Sequence, residues 1–291
     1  MALDNLADYF PDWKEREALA EDMIPLIGSL YRKNVVTYCY GRALYNQSVT
    51  QIMKTHRYVR QVAQNELSEF ESHPILNEMA KLNLGPSHID VGKLATKFMA
   101  ESESSDIDVA DFVKKECAAV VGIDALPLSQ PQDVVLYGFG RIGRLLARLL
   151  IEKTGSGQQL RLRAIVVRKG GQDDLSKRAS LLRRDSVHGS FQGTLRVDEE
   201  NSCIIANGNV IRVLYANSPD ELNYENHEIK NAIVIDNTGV WRDSEGLAKH
   251  LACEGVAKVV LTAPGKGDIK NIVSGVNSHS IVSEDEIIAA A

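Results

Sequence analysis

Three glycines that follow a short apolar run form the part of the sequence best suited to chemistry. They are Gly138, Gly140 and Gly143, and the run before them is Val134–Tyr137. The first glycine permits a tight turn, the second lets a ligand approach the backbone, and the third allows close helix–strand packing. The amides of Arg141 and Ile142 then fall at a helix start, where unpaired N–H groups favour an anion. The spacing predicts a site for the phosphate bridge of a dinucleotide, with a purely structural glycine turn as the alternative.

The next apolar run, Leu160–Val167, ends in cations where many such sites place a carboxylate. An Asp or Glu at this point usually binds the ribose hydroxyls of NAD. Here Arg168 and Lys169 follow instead, and both would attract a 2′-phosphate. The cofactor is therefore predicted to be NADP or NAD, with NADP favoured. The alternative is that both cations are solvated residues at a strand end.

The elements that must position these residues alternate between strand and helix over residues 132–291. A helical pattern over Ile142–Lys153 separates the first two apolar runs. The later strand candidates are Thr194–Val197, Ile204–Ile205, Val210–Leu214, Ala232–Asp236, Lys258–Thr262 and Asn271–Val276. This alternation predicts an α/β fold, a Rossmann-type doubly wound, mostly parallel sheet. The Asn207-Gly208 pair predicts a hairpin and so an antiparallel insertion.

Residues 1–125 have the apolar spacing of helices and are predicted to form an all-α N-terminal module. The predicted helices lie between Trp13 and Tyr45, between Thr50 and Phe70, from Pro74 onward, and over Val109–Val121 with Asp108 as N-cap. No strand pattern is assigned in this region. The proline-rich stretch Ala125–Pro131 is predicted to be a linker.

Composition and charge exclude several classes of partner. No apolar run approaches the length of a membrane helix, and the N-terminus has no apolar signal core, so we expect a cytoplasmic protein without a membrane partner. Residues 1–130 contain 13 Lys and Arg against 19 Asp and Glu, so the net charge of −6 belongs to the front segment and argues against nucleic acid. The four cysteines lack metal-ligand spacing, so we expect buried free thiols and no metal site.

Six ordered motifs in residues 132–291 resemble the glyceraldehyde-3-phosphate dehydrogenase family. The stretch Tyr137–Arg144 is similar to the family's opening fingerprint. The other matches follow in the family's order: Arg184–Gly189, Asn207–Asn209, Asn237–Val240, Thr262–Pro264 and Gly275–Asn277. Six matches in order are far more specific than any one of them.

The resemblance implies which residues contact the nicotinamide dinucleotide. Gly138, Arg141 and Ile142 would lie at the pyrophosphate, Thr238 and Gly239 on the adenosine side, Thr262 nearer the nicotinamide, and Trp241 beside the adenine. Two departures affect the adenosine pocket. The family's usual Asn before the first fingerprint glycine is Tyr137 here, and its Asp for the ribose is absent.

The resemblance also implies that the family's catalytic half is missing. In relatives the nucleophilic cysteine lies directly after a stretch similar to Ile287–Ala290, where this chain ends at Ala291. His188 belongs to a segment that serves structure in the family, so no residue here is assigned a catalytic role. We therefore expect this chain alone to be inactive, an apolar docking surface for the family's last helix to be bare, and the full-length protein to be a homo-oligomer.

Three functions stay open at this point. The first is a phosphorylating glyceraldehyde-3-phosphate dehydrogenase subunit or fragment, working in glycolysis or gluconeogenesis. The second is a relative acting on another phosphorylated aldose, such as erythrose 4-phosphate. The third is a non-catalytic nucleotide-binding or regulatory protein that uses residues 1–125 for partner contacts.

Overall fold

The structure is a computed structural model that describes residues 9–63, 65, 67–123, 130–152, 159–171 and 173–290. It divides into two compact units, Met1–Pro127 and Leu128–Ala291. The predicted linker falls mostly outside the described residues. In the part of the chain that is described, no helix is both long and apolar enough to cross a membrane.

The described residues of the first unit form five α-helices, as the helical periodicity predicted in outline. They are α1 Tyr9–Arg32, α2 Val49–Ala63, α3 Glu69–Lys81, α4 Val91–Ser102 and α5 Val109–Glu116. Asp108 caps α5 as predicted, because its side chain accepts hydrogen bonds from the amides of Ala110 and Asp111. The predicted helix start at Pro74 is corrected: Pro74 lies inside α3, which begins after the N-cap Ser68.

The expectation of an all-α first unit is wrong, because the unit also contains a small three-stranded sheet. Its strands are β1 Val35–Cys39, β2 Arg42–Ala43 and β3 Ser87–Asp90, in the order β2-β1-β3. The left-handed backbone of Asn34 (φ 62°) ends the helical path after α1. Strand β1 then alternates buried and half-buried residues and pairs in parallel with β3. The helices and this sheet share one core that includes Met23, Leu30 and Phe112.

The second unit is built on a nine-stranded sheet. Seven neighbouring strands, counted from one edge, are parallel to one another. Its strands are β4 Gln132–Tyr137, β5 Leu160–Val167, β8 Leu195–Asp198, β9 Cys203–Ala206, β10 Asn209–Tyr215, β11 Ala232–Asp236, β12 Val256–Leu261, β13 Lys270–Ile272 and β14 Ile287–Ala290. The order is β13-β14-β12-β11-β4-β5-β10-β9-β8, with β10-β9-β8 antiparallel. A separate pair, β6 Arg184–Asp185 and β7 Gly189–Ser190, lies outside this sheet.

Three helices cover the sheet: α6 Arg141–Glu152, α7 Asp174–Arg183 and α8 Ser244–Leu251. The α/β fold of Rossmann type is confirmed, and so is the antiparallel insertion. The hairpin turns at Asn207 and Gly208, which both have positive φ, as a two-residue turn of this type requires. Strand β4 has β5 on one side and β11 on the other. The order in which successive strands are added to the sheet therefore reverses at β4. Ligands of such sheets bind at the carboxyl ends of the strands at this point.

One face of this unit carries an apolar groove of about 390 Å³. Half-buried side chains from three parallel strands line it, including Ile233, Val260 and Ile288. Ile281 and Val282, which are 42% and 50% exposed, form part of its rim.

Candidate dinucleotide-binding site

The three fingerprint glycines occupy positions with different steric demands. Gly138 has φ 92°, and a Cβ atom there would lie 2.9 Å from Thr238 Cγ2. A Cβ atom at Gly143 would lie 2.4 Å from the Gly138 carbonyl oxygen, because α6 packs closely on the turn. Gly140 is different: a Cβ atom there would meet none of the described residues within 4 Å. The fold therefore explains the first and third glycines but not the second.

Helix α6 begins directly after Gly140, at Arg141. The first intrahelical bond in this turn runs from the Arg144 amide to the Gly140 carbonyl, at 3.1 Å. The earlier amides, including that of Ile142, have no acceptor within an α-helix and carry the positive end of its dipole. Ile142 is 48% exposed, so this end of the helix is open to a ligand. The turn can therefore hold a diphosphate.

A pocket of about 490 Å³ lies beside the turn, at the carboxyl ends of β4, β5 and β11. Four of the ten predicted site residues line it: Gly138, Gly140, Arg168 and Thr238. The other six do not line it: Arg141, Ile142, Gly143, Lys169, Gly239 and Thr262. The remaining lining residues are Tyr137, Phe139, Val166, Val167, Arg178, Ala216, Asn217, Asn237, Val240 and Trp241.

Two arginines, not an arginine and a lysine, supply the positive charge of this pocket. Arg178 on α7 joins Arg168, and its Nη2 donates to the Arg168 carbonyl at 2.8 Å. The Nε of Arg178 donates to Asp174 Oδ2 at 2.7 Å, which fixes the guanidinium at the pocket edge. Lys169 is exposed and does not line the pocket. Sequence reasoning missed Arg178, although the four-residue spacing from Asp174 on one helix was a usable signal.

A buried carboxylate organises the turn after β11. Asp236 is fully buried, and its Oδ1 accepts hydrogen bonds from the amide and hydroxyl of Thr238, at 2.6 and 2.7 Å. Its Oδ2 lies 3.0 Å from Nε2 of the buried His250. Thr262 is held in the same layer, because its hydroxyl donates to the Asp236 carbonyl at 3.1 Å. Thr262 thus lies behind the turn and not in the pocket wall.

Three aromatic residues line the pocket: Tyr137, Phe139 and Trp241. Trp241 lines it, as the resemblance implied for the adenine side, and Lys249 Nζ lies 4.7 Å from the centre of its ring. Tyr137 is 5% exposed and packs edge-on against His250, with ring centres 4.6 Å apart. Burial, followed by the charge of Asp236, raises the pKa of Tyr137 to about 12. Tyr137 therefore stays neutral and serves as a wall.

His188 lies outside this pocket and has a local partner. Asp185 Oδ1 accepts from the amides of Val187 and His188, and it lies 3.0 Å from His188 Nδ1. These hydrogen bonds to His188 and Val187 hold the pKa of Asp185 well below its usual range. The arrangement closes a tight loop, so it fits the structural role that the resemblance implied.

The four cysteines, Cys39, Cys117, Cys203 and Cys253, are all buried and free, as predicted. Burial raises the pKa of Cys39 to about 12 and that of Cys253 to about 11. A thiol acts as a nucleophile only as its thiolate, so neither is activated. Within the described part of the chain, no group of three or more potential ligand side chains is arranged to hold a metal ion.

Fold and site together define the second unit as a nucleotide-binding domain of Rossmann type. Residues 132–244 match the family model described as the NAD binding domain of glyceraldehyde 3-phosphate dehydrogenase. Residues 132–244 are thus similar to the NAD-binding domain of the glyceraldehyde-3-phosphate dehydrogenase family, and the resemblance drawn from the motifs is confirmed.

Several curated proteins are similar to the chain. A glyceraldehyde-3-phosphate dehydrogenase-like protein of Pseudomonas aeruginosa is 58% identical over 272 residues, which is 92% of this chain and 59% of the relative. Glyceraldehyde-3-phosphate dehydrogenase of Zymomonas mobilis is 33% identical over 54% of this chain and 44% of the relative. The chloroplastic form A of Zea mays is 35% identical over 59% of this chain and 41% of the relative. The chain therefore spans only about half the length of the relatives it matches.

Proposed function

We propose that this chain is the cofactor-binding part of a glyceraldehyde-3-phosphate dehydrogenase and that it binds a nicotinamide dinucleotide in the pocket beside α6. The observation that carries the proposal is the open space around Gly140. A Cβ atom there would meet none of the described residues within 4 Å, so the fold does not require a glycine at this position. When bound, the nicotinamide supplies the hydride acceptor. The residues of this chain bind and orient the dinucleotide: the α6 amides hold its phosphates, and Trp241 and Tyr137 flank its apolar parts.

The substitution Gly140→Ala tests this proposal. A methyl group would meet no described protein atom, so the fold is unaffected, but it would occupy the approach path of the phosphates. We expect the dissociation constant to rise at least about tenfold, a change of about 1.4 kcal/mol, in calorimetric titrations. Gly28→Ala is the matched control, because its new methyl group makes only ordinary contact, 3.5 Å from Arg32 in α1. Equal affinity of both variants and the parent chain would contradict the proposal.

The proposal includes a preference for NADP over NAD. Arg168 and Arg178 lie in the pocket wall, and arginines are suited to bidentate contact with a phosphate. Loss of one charge-assisted contact costs about 1.5–3 kcal/mol, so Arg168→Ala and Arg178→Ala should each weaken NADP binding about tenfold or more with little effect on NAD. Lys169→Ala is the control, since Lys169 does not line the pocket. A parent chain that binds NAD as tightly as NADP would refute the preference.

The proposal further holds that this chain alone does not oxidise the aldehyde. That reaction needs an activated thiolate, whereas all four cysteines are buried and burial raises their pKa values. Purified chain given glyceraldehyde 3-phosphate, phosphate and either cofactor should form no reduced cofactor above background. Turnover abolished by replacing one of these cysteines would overturn this part. A longer cytoplasmic homo-oligomer would supply the phosphorylating activity of glycolysis or gluconeogenesis.

A second candidate is a non-catalytic nucleotide-binding protein, which the same buried thiols favour. It shares the cofactor site and differs only in what accompanies the chain. Mixing the chain with the remaining segment of a longer relative would separate the two, because only a dehydrogenase subunit would gain turnover.

A further inference from the structure

We propose that His250 is a positioning residue for the dinucleotide pocket, acting through the buried carboxylate of Asp236 on the turn that carries Thr238. This inference rests on the proposed function and deepens it. His250 itself does not line the pocket. Its effect on the cofactor must therefore pass through other residues, and the contacts form a continuous chain.

The first link joins helix α8 to strand β11. His250 and Asp236 are both fully buried, and His250 Nε2 lies 3.0 Å from Asp236 Oδ2. A carboxylate can only accept, so Nε2 carries the proton of this bond. His250 Nδ1 has no hydrogen-bond partner among the described residues. Within the described residues, the imidazole therefore makes one hydrogen bond, which holds one oxygen of Asp236.

The second link joins Asp236 to the pocket wall. With Oδ2 held by His250, Oδ1 faces the turn and accepts both the amide and the hydroxyl of Thr238. The Thr238 hydroxyl also accepts a hydrogen bond from the Val240 amide, at 3.1 Å. The carboxylate thus fixes the turn by two hydrogen bonds, and the Thr238 hydroxyl adds a third with Val240. Both Thr238 and Val240 line the pocket.

The third link joins Thr238 to the glycine turn. Thr238 Cγ2 stands so close to Gly138 that a Cβ atom there would lie 2.9 Å from it. Thr238 therefore packs directly against the first fingerprint glycine, and both residues line the pocket. Tyr137, which precedes that glycine, packs its ring against His250. His250 consequently supports two walls of the pocket, one through a carboxylate and one by direct packing.

The alternative is that His250 is only a core residue whose loss lowers stability. A comparison of three full-length variants separates the two roles. His250→Leu keeps bulk and removes the donor, whereas His250→Gln can place an amide donor near the position of Nε2. Leu247→Ala, in the same helix and equally buried, damages packing without touching the chain of contacts.

Binding of NADP and NAD is measured by calorimetry, with thermal unfolding of each variant recorded in parallel. We expect His250→Leu to weaken binding about tenfold, the loss of one charge-assisted hydrogen bond, while His250→Gln recovers most of it. Leu247→Ala should lower the unfolding temperature and leave affinity within about twofold of the parent chain. If the loss of nucleotide affinity in all three variants is proportional to the loss of thermal stability, the inference is overturned. The proposed function is unaffected by that outcome.

A double-mutant cycle gives a second, independent readout. Thr238 is exposed, so Thr238→Val removes the hydroxyl without burying a new group and should fold even where His250→Leu does not. If both residues act through one carboxylate, their effects on binding are not additive. Additive effects would contradict the inference. No binding of either nucleotide by the parent chain would overturn both the inference and the proposed function.

Discussion

Each unit of this molecule buries one histidine completely, and the two are used differently. In the first unit His56 Nδ1 donates to the Ile52 carbonyl, and Nε2 lies 2.9 Å from Ser72 Oγ. Both of its nitrogens are thus matched within neighbouring helices, α2 and α3. In the second unit only Nε2 of His250 has a hydrogen-bond partner among the described residues. That partner, Asp236, organises the pocket wall. The first arrangement holds α2 and α3 together, whereas the second one holds the wall of the proposed binding pocket in place.

The same contrast extends to the two units as a whole. The second unit contains a glycine that its own packing does not require, two arginines at a pocket edge and a buried carboxylate behind it. In the described residues of the first unit, polar side chains form caps, such as those by Ser68 and Asp108, and a buried carboxylate, Glu69, pairs with Arg16. Packing within the second unit therefore does not account for glycine at position 140.

The largest expected effect tests whether the units are energetically separate. Phe112 is buried in the first unit and packs against Phe98, with ring centres 5.2 Å apart. Phe112→Ala should destabilise the first unit by about 3–5 kcal/mol. Dinucleotide affinity, measured by calorimetry at a temperature where the second unit stays folded, should not change. A parallel loss of affinity would break the comparison.

A smaller effect is expected from Gly143→Ala. The new methyl group would lie 2.4 Å from the Gly138 carbonyl oxygen, which is backbone and cannot turn away. The required shift of α6 should cost about 1–3 kcal/mol in chemical denaturation of the second unit. Gly140→Ala is the matched control within the same motif and should be neutral. Equal destabilisation by both substitutions would show that Gly140 is also a packing residue.

The N-cap of α5 provides a third measurement. Asp108→Ala removes the acceptor for the amides of Ala110 and Asp111 and should cost about 1 kcal/mol in the first unit. Asp106→Ala is a nearby control of the same charge. A loss of dinucleotide affinity caused by Asp108→Ala alone would indicate that the first unit contributes to the cofactor site.

The smallest expected effect is a pH dependence of the first unit. Burial, opposed in part by Glu69, lowers the pKa of His56. The unfolded chain, with its histidine pKa near 6.5, then binds more protons than the folded one. Stability from this group is therefore present above about pH 6.5 and is lost as the pH falls, by less than about 1 kcal/mol between pH 6.5 and 6. Denaturation curves of the parent and His56→Gln should converge at lower pH; curves that stay parallel would contradict this account.

The parts of the fold that sequence could predict are those specified locally. The strand β4, the glycine turn and α6 follow one another within about twenty residues, and the Asn207-Gly208 turn specifies its hairpin by φ preference alone. Asp108 was likewise readable as a cap. Strand β1 was not predicted, because it follows α1 directly and its parallel partner β3 lies some fifty residues further on.

The missed parts of the candidate site have the same origin. Arg178 is ten residues beyond Arg168, and only the return of α7 brings it to the pocket. Lys169, which neighbours Arg168 in sequence, points elsewhere because adjacent residues alternate in direction at a strand end. The link from His250 to Asp236 joins a helix to a strand across the sheet layer, so no spacing rule reveals it.

The nine-stranded sheet ends at two short strands, β13 with three residues and β8 with four. An edge strand can recruit a foreign chain through its unpaired amides and carbonyls. Edge strands this short offer an incoming strand few backbone hydrogen bonds, and Arg196 and Asp198 add charge to one of them. Fibrous growth by strand addition is thus disfavoured at both borders, even though the sheet is broad.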